Sequence, residues 1–205
     1  MITYGDTVLY ADDIKSLKNP EYLTDSVISL FFELLTSECL EAILLSPSIV
    51  QLIKFSDIAS ITAMFSVLEL DKYKVILCPV NDSASRTSAI SGEHWSLLCI
   101  VKDDNVAYSI DSANNFNVSE CQEIVPKLSV LLKPDNKTEK FAFENLACTQ
   151  QENGYDCGVH VIYFARQIIR NFSANGKFDG RVVRRCLPFN YRTALYSELI
   201  ALPLG

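Results

Sequence analysis

The chain has 205 residues, 49% of them hydrophobic, with only 7 glycines and 7 prolines. That content suits one globular domain over residues 1–205 with a sizeable core, and excludes a disordered or fibrous chain. A formal net charge of −7 with no basic run excludes a phosphate-backbone binder, so no nucleic-acid partner is expected.

The seven cysteines are odd in number and scattered, with no C-x-x-C pair, and only two histidines accompany them. Neither a zinc site nor a disulfide framework fits that pattern, so free thiols, no metal and no cofactor are expected. Asp6, Asp12 and Asp13 interrupt the N-terminus before an apolar stretch can form, and the longest apolar runs fall short of a membrane span. The expectation is a soluble monomer of a reducing compartment, cytoplasm or nucleus, with no membrane partner.

Residues 6–13 (DTVLYADD) read as a short extended piece, followed by the loop KSLKNPEYLTD. Thr24 or Asp25 can cap a helix over 26–38, whose apolar residues Ile28, Phe31, Phe32 and Leu35 share a face. Ser46-Pro47 opens a helix over 47–54, and Ser56-Asp57 opens another near 57–66. The period then changes. KVILCPV (74–80) is a buried strand, the small polar residues of 81–92 form a loop, and HWSLLCIV (94–101) and VAYSID (106–111) are strands joined by Asp103-Asp104-Asn105. A helix over 118–132, a strand over 141–145, a helix over 157–172 and weaker helical patterns at 180–186 and 190–201 complete the order. The fold class is α+β, with a mixed central sheet flanked by helices.

The most informative stretch is 150–172. Asn153-Gly154 signals a turn, and Val161, Ile168 and Phe172 recur at helical steps. Asp156 suits the N-cap, where its carboxylate can accept a first-turn amide. Cys157 then lies in the first turn, where free amides and the helix dipole favour a thiolate, the nucleophilic form. Gly158 removes bulk beside the sulfur, so that a substrate backbone can approach. A buried structural cysteine is the competing reading, and it is adopted for Cys39, Cys78, Cys99, Cys121, Cys148 and Cys186, whose neighbours are mostly apolar.

A nucleophilic cysteine needs a base, and only His94 and His160 exist. His160 is within reach of Cys157 on the same helix but suits a core position. His94 starts a strand straight after the polar loop, where functional side chains are displayed. Asp111, ending the next strand, can orient the imidazole if the two strands pair, or can simply cap the turn that follows. Gln151 can donate its amide to a tetrahedral oxyanion, or can be merely solvated.

G-x-H-W at 92–95, the strand-ending Asp111 and Q-x-N-G-x-D-C-G at 151–158, in that order, resemble the Ulp/sentrin-specific cysteine protease family. The resemblance runs from about residue 6 to residue 172. S-P-x-x-x-x-x-I-K at 46–54, AMF at 63–65, HWSLL and YDCG are most similar to its deneddylase branch. It implies a papain-like, Ulp-type fold and cleavage after the Gly-Gly tail of a ubiquitin-like modifier, through a thioester acyl-enzyme. By resemblance His94 is the base, Asp111 its orienter, Gln151 the oxyanion donor and Cys157 the nucleophile. The partners it implies are a Nedd/Rub-type modifier and its conjugates, such as cullins.

The family passes the modifier tail beneath an aromatic ring. Trp95, the only tryptophan, matches that ring, and Tyr22 stands where relatives often carry a second one. Asp25 can pair with an arginine of the tail or cap its helix, and the 81–92 loop resembles a segment that closes over the tail. His160 departs from the aromatic or aliphatic residue expected at its position. The alternatives are a SUMO-type modifier protease, disfavoured by pairing an acidic enzyme with an acidic modifier, a catalytically silent modifier-binding module, ubiquitin cleavage as a side activity, and acetyltransferase chemistry on a related fold.

Overall fold

A computed structural model describes residues 1–18, 20–84, 92–133 and 139–202. Strands β1 (Ile2–Tyr4) and β2 (Thr7–Leu9) form an antiparallel hairpin around Gly5, whose positive φ of 53° suits the tight turn. The extended piece expected at 6–13 therefore ends early. Helix α1 (Ala11–Lys18) begins there, because Asp13 Oδ2 accepts the Tyr10 amide at 2.8 Å, the returning half of a capping box. Helix α2 (Asp25–Thr36) follows. Thr24 occupies its N-cap position, but the hydroxyl donates to Asp13 Oδ1 at 2.6 Å, so neither Thr24 nor Asp25 caps the helix by side chain.

Strand β3 (Ala42–Leu44) was not expected; three residues are too few to show a period. Helices α3 (Pro47–Phe55) and α4 (Ile58–Phe65) start at the predicted caps, with Ser46 Oγ accepting the Ile49 amide and Asp57 Oδ1 the Ser60 amide. Then come β4 (Val75–Asn81), β5 (Trp95–Val101), β6 (Val106–Ile110), α5 (Val118–Leu132), β7 (Ala142–Asn145), α6 (Cys157–Asn175) and α7 (Tyr191–Ile200). Most of the loop expected over 81–92, including 85–91, lies outside the described residues.

The five-stranded sheet has the order β3-β4-β5-β6-β7. Its outer pairs are parallel and its inner pairs antiparallel, so the sheet is mixed, as expected. Alternation along the strands divides the core in two. Val75, Leu77, Trp95, Leu97 and Cys99 face α2, α6 and α7, whereas Ile76, Cys78, Val80, Leu98 and Ile100 face α3, α4 and α5. Because both faces are covered, β4 and β5 read as continuous apolar runs. No helix among the described residues is long and apolar enough to cross a membrane.

The α3 face reaches the site through Lys54. It is buried, and its ammonium donates to the carbonyls of Asn81 (3.0 Å) and Ser83 (2.8 Å), where the chain leaves β4 towards His94. Burial holds its pKa below the ordinary lysine value, so the two carbonyls have to repay that cost. Replacing it by an isosteric apolar chain strands both acceptors. Lys54→Met is expected to lower unfolding free energy by about 1–3 kcal/mol in urea titrations, and an unchanged midpoint would show that the lysine is dispensable.

Candidate active site

The β5–β6 register pairs Leu97 with Ile110. Extending that register by one step sets Asp111 opposite Ser96, and His94, two residues before Ser96 and so on the same face, reaches Asp111 diagonally. His94 Nε2 is 2.7 Å from Asp111 Oδ1, and both residues are buried. Three side chains pin the His94 backbone. Asp82 Oδ1 accepts the Glu93 and His94 amides at 2.8 and 3.0 Å, while Asn81 Nδ2 and Asn117 Nδ2 donate to the His94 carbonyl. Gly92 is required here. Its φ is +113°, and a Cβ would come within 1.9 Å of Asn81 Oδ1.

Asp111 is itself fully engaged. Its second oxygen accepts the Asn117 amide at 2.8 Å, and Oδ1 also accepts the Ala113 amide at 2.8 Å. Burial alone would push the carboxyl up, but the bonds from His94, Asn117 and Ala113 outweigh it and hold it below the usual carboxylate range. Of the two readings open from sequence, the orienting geometry is realised, and turn capping accompanies it.

Cys157 opens α6, as expected, and its side chain lies near enough to His94 to favour the protonated imidazole. With Nε2 held by Asp111, the nitrogen left for sulfur is Nδ1. Burial would push the imidazole down, yet its bond to Asp111 and the nearby Cys157 overcome that and raise it to about 9. Cys157, at 0% exposure, is covered within the cluster that contains Leu23 and Trp95.

Two local expectations need correction. Asp156 sits at the N-cap position but makes no capping bond. Its carboxylate is taken by Asn153 Nδ2 (2.8 Å) and Arg192 Nε (2.7 Å). Gly158 does not leave space for substrate. A Cβ there would stand 2.9 Å from Leu23 Cβ, so the missing side chain admits Leu23 instead.

Gln151 lies beside this group. Its amide hydrogen bonds the Ser112 carbonyl at 2.9 Å, Ser112 Oγ donates to its Oε1 at 2.8 Å, and its Nε2 donates to the Asn153 carbonyl at 2.7 Å. The orientation is therefore fixed, with one of the two Nε2 hydrogens committed. Trp95 is buried, and its indole nitrogen donates to the Leu23 carbonyl at 3.3 Å. Tyr22 is exposed on a groove shared with Pro20, Glu21, Gly154 and Tyr155. Asp25 is exposed at the start of α2, where the surrounding protein and the nearby Asp13 charge push its carboxyl up.

The chain belongs to the Ulp1 protease family. The family model for the Ulp1 C-terminal catalytic domain matches residues 62–186. Human sentrin-specific protease 8 is 30% identical over 178 residues, covering 84% of this chain and 82% of that one. A probable sentrin-specific protease 8 of Dictyostelium discoideum is 34% identical, covering 83% and 75%. The NEDD8-specific protease 1 of Arabidopsis thaliana is 30% identical, covering 86% and 78%. Among solved structures, the Ulp1 protease domain in complex with Smt3, the yeast ortholog of SUMO, superposes with a TM-score of 0.69 at 20% identity, covering 97% of this chain and 86% of that one. At that identity the likeness shows the fold alone. The chain is accordingly a cysteine peptidase of the Ulp1 family with the Ulp1-like fold.

Several groups that hold this site together carry no signal in the sequence. Asn81, Asp82 and Asn117 read as ordinary loop residues, and only their sequence distance from the strand ends hints at a role. Arg192, from α7, donates to Asp156 and to the carbonyls of Ser16 (2.6 Å), Glu21 (3.0 Å) and Tyr155 (3.1 Å). The remaining cysteines are buried as expected except two. Cys148 is half-buried, with its thiol donating to the Asp111 carbonyl, and Cys186 is exposed.

The two histidines make the electrostatics testable. His160 is buried with Nδ1 unpaired, and burial pushes it down to about 4. Imidazole resonances should show one midpoint near 9 and one near 4, and Asp111→Asn should lower only the first, towards the ordinary 6.5 or below. The signs for stability follow. The His94 contribution is full below 6.5 and is lost as pH rises through about 9, whereas His160 withdraws stability as pH falls from 6.5 through about 4. Movement of the acidic midpoint instead, in the Asp111 variant, would reverse the assignment of the two environments.

Proposed function

We propose that Cys157, His94, Asp111 and Gln151 are the catalytic set of a protease that cleaves after the Gly-Gly tail of a Nedd/Rub-type modifier. The observation that carries this is the buried His94–Asp111 pair, 2.7 Å apart, with the first-turn cysteine of α6 acting electrostatically on the same imidazole. His94 takes the thiol proton, and sulfur attacks the terminal glycine carbonyl to form the C–S bond. The oxyanion receives the uncommitted Gln151 Nε2 hydrogen and first-turn amides of α6. Collapse breaks the C–N bond as His94 gives its proton to the departing amine. Water, deprotonated by the same imidazole, then releases the modifier carboxylate and restores the thiol.

Support for the modifier comes from the relatives named for NEDD8 or as sentrin-specific protease 8. Trp95, Tyr22 and Asp25 are assigned to the tail channel. Trp95 and Tyr22 flank the Leu23 segment that packs on Gly158, which supports the assignment. The residues 1–205 are taken to act as one domain, since the α6 face of the core draws on residues from Ile2 to Leu199.

Cys157→Ala is expected to abolish turnover while retaining modifier binding, and His94→Ala to cost about 10²–10⁴-fold in kcat, with His160→Phe close to the parent. The opposite order for the two histidines would move the base to His160. Because Cys157 is covered and Cys186 exposed, a small alkylating reagent should modify Cys186 first. A modifier carrying a C-terminal vinylsulfone should instead label Cys157. Among C-terminal fluorogenic modifiers the Nedd-type should give the highest kcat/KM; a SUMO-type optimum would replace the modifier and leave the protease assignment standing.

A further inference from the structure

The loop that leaves β6 is folded tightly around Asp111, and among its exposed residues Asn114, Asn115 and Phe116 only the last is apolar. Asn114 and Asn115 both take left-handed backbone, with φ of 52° and 64°, a region that asparagine tolerates better than most residues. The Phe116 amide donates to the Ala113 carbonyl, and the next residue, Asn117, is fully buried and tied to Asp111, Val80 and His94. Phe116 is thus held between anchored neighbours. The residue is 64% exposed, yet its ring stands edge-on to His94, with centroids 5.5 Å apart at 79°.

An aromatic ring kept in water on an anchored loop, against the imidazole of the site, calls for a ligand. Its position says which part of the substrate. The Tyr22–Tyr155 groove and the Trp95–Leu23 contact lie on the Cys157 side, where Leu23 packs on Gly158. Phe116 shares no residue with them and touches the histidine instead. The departing amine must meet the imidazole to collect its proton, so the leaving group lies on the His94 side.

We propose that Phe116 forms the leaving-group subsite, packing its exposed ring against the four-carbon stem of the isopeptide-linked lysine. A lysine stem is apolar and commonly lies along hydrophobic surface while its nitrogen stays polar. Here that nitrogen is the scissile one, and ring contact along the stem aims it at His94. Phe116 is a specificity residue, setting preference for lysine conjugates over leaving groups that lack the stem. This rests on the proposed Cys157–His94 chemistry.

The test uses the full chain and three reagents made with the same modifier. One is a C-terminal vinylsulfone, which has no leaving group; one is an isopeptide to lysine in a short peptide; one is the same isopeptide through diaminopropionate, whose stem is shorter. The readout is each peptide's kcat/KM divided by the labelling rate of the vinylsulfone in the same variant. For Phe116→Ala the lysine ratio should fall roughly fivefold to tenfold, the diaminopropionate ratio should move less than about twofold, and Phe116→Leu should recover most of the lysine ratio. Equal ratios in parent and Phe116→Ala, or equal falls for both stems, would overturn the subsite. Failure of the parent to be labelled at Cys157 would instead overturn the underlying chemistry, so the two failures are distinct.

Discussion

A carboxylate buried at the end of β6 has to be satisfied where it stands, because an unpaired charge in the interior costs several kcal/mol (~3–5 when a partner is removed). Asp111 is satisfied by His94 and by the amides of Ala113 and Asn117. Its main-chain carbonyl is met in turn by Gln150 Nε2 and the Cys148 thiol. Those bonds do more than stabilise a charge. They curl 111–117 back on itself and deliver the Asn117 side chain to the His94 carbonyl. They also run the 148–151 segment alongside Ser112, which brings Gln151 to the site. One buried charge thereby orders the imidazole, the Gln151 side chain and the exposed Phe116.

The sulfur side of the site depends on a different charge. Arg192 presents a planar fork of donors, and each finds an acceptor on a segment remote in sequence: Asp156 and Tyr155 before α6, Ser16 at α1 and Glu21 beside Tyr22. The pair it forms with Asp156 is shielded from solvent, so it is screened less than a surface bridge. This explains why Asp156 does not cap α6. Its oxygens are already committed to Asn153 and Arg192, and the turn that carries Cys157 is braced from α7, beyond the segment matched by the family model.

How much of this was legible follows from the range of the interactions. Apart from β3, the order of strands and helices from α2 to α6 is written in local apolar periods and in caps such as Ser46 and Asp57, so it could be read directly. The meeting of His94 with Asp111 and the place of Cys157 at the start of α6 were legible because only two histidines are present and the strand and helix ends are marked locally. Trp95 was singled out only through likeness to the family, and nothing in its local pattern marks its contact with the Leu23 carbonyl. What could not be read depends on tertiary partners. Helix α1 needs the Asp13 cap, β3 needs β4 beside it, and Gly158 needs Leu23 above it. Arg192 and Asn117 carry no local signal at all; either would suit any exposed helix or loop.

The two imidazoles show why residue type alone does not identify a base. Both are buried and both lose hydration, a loss that by itself disfavours the cation. Among the described residues His160 stands edge-on to Phe164 with Nδ1 unpaired, and the Asp156 charge offsets its burial too little, so it stays neutral down to about 4. His94 meets a carboxylate and a thiol, and the same low-dielectric surroundings that penalise its charge also strengthen those interactions, carrying it to about 9. Covering the sulfur and powering the imidazole are therefore one arrangement: open the cluster to water and the interactions that raise His94 weaken. A glycine tail that slides in where the cover was would keep water out while bringing the carbonyl to sulfur. That is a physical reason for such a site to favour a thin, side-chain-free substrate over any other that could reach it.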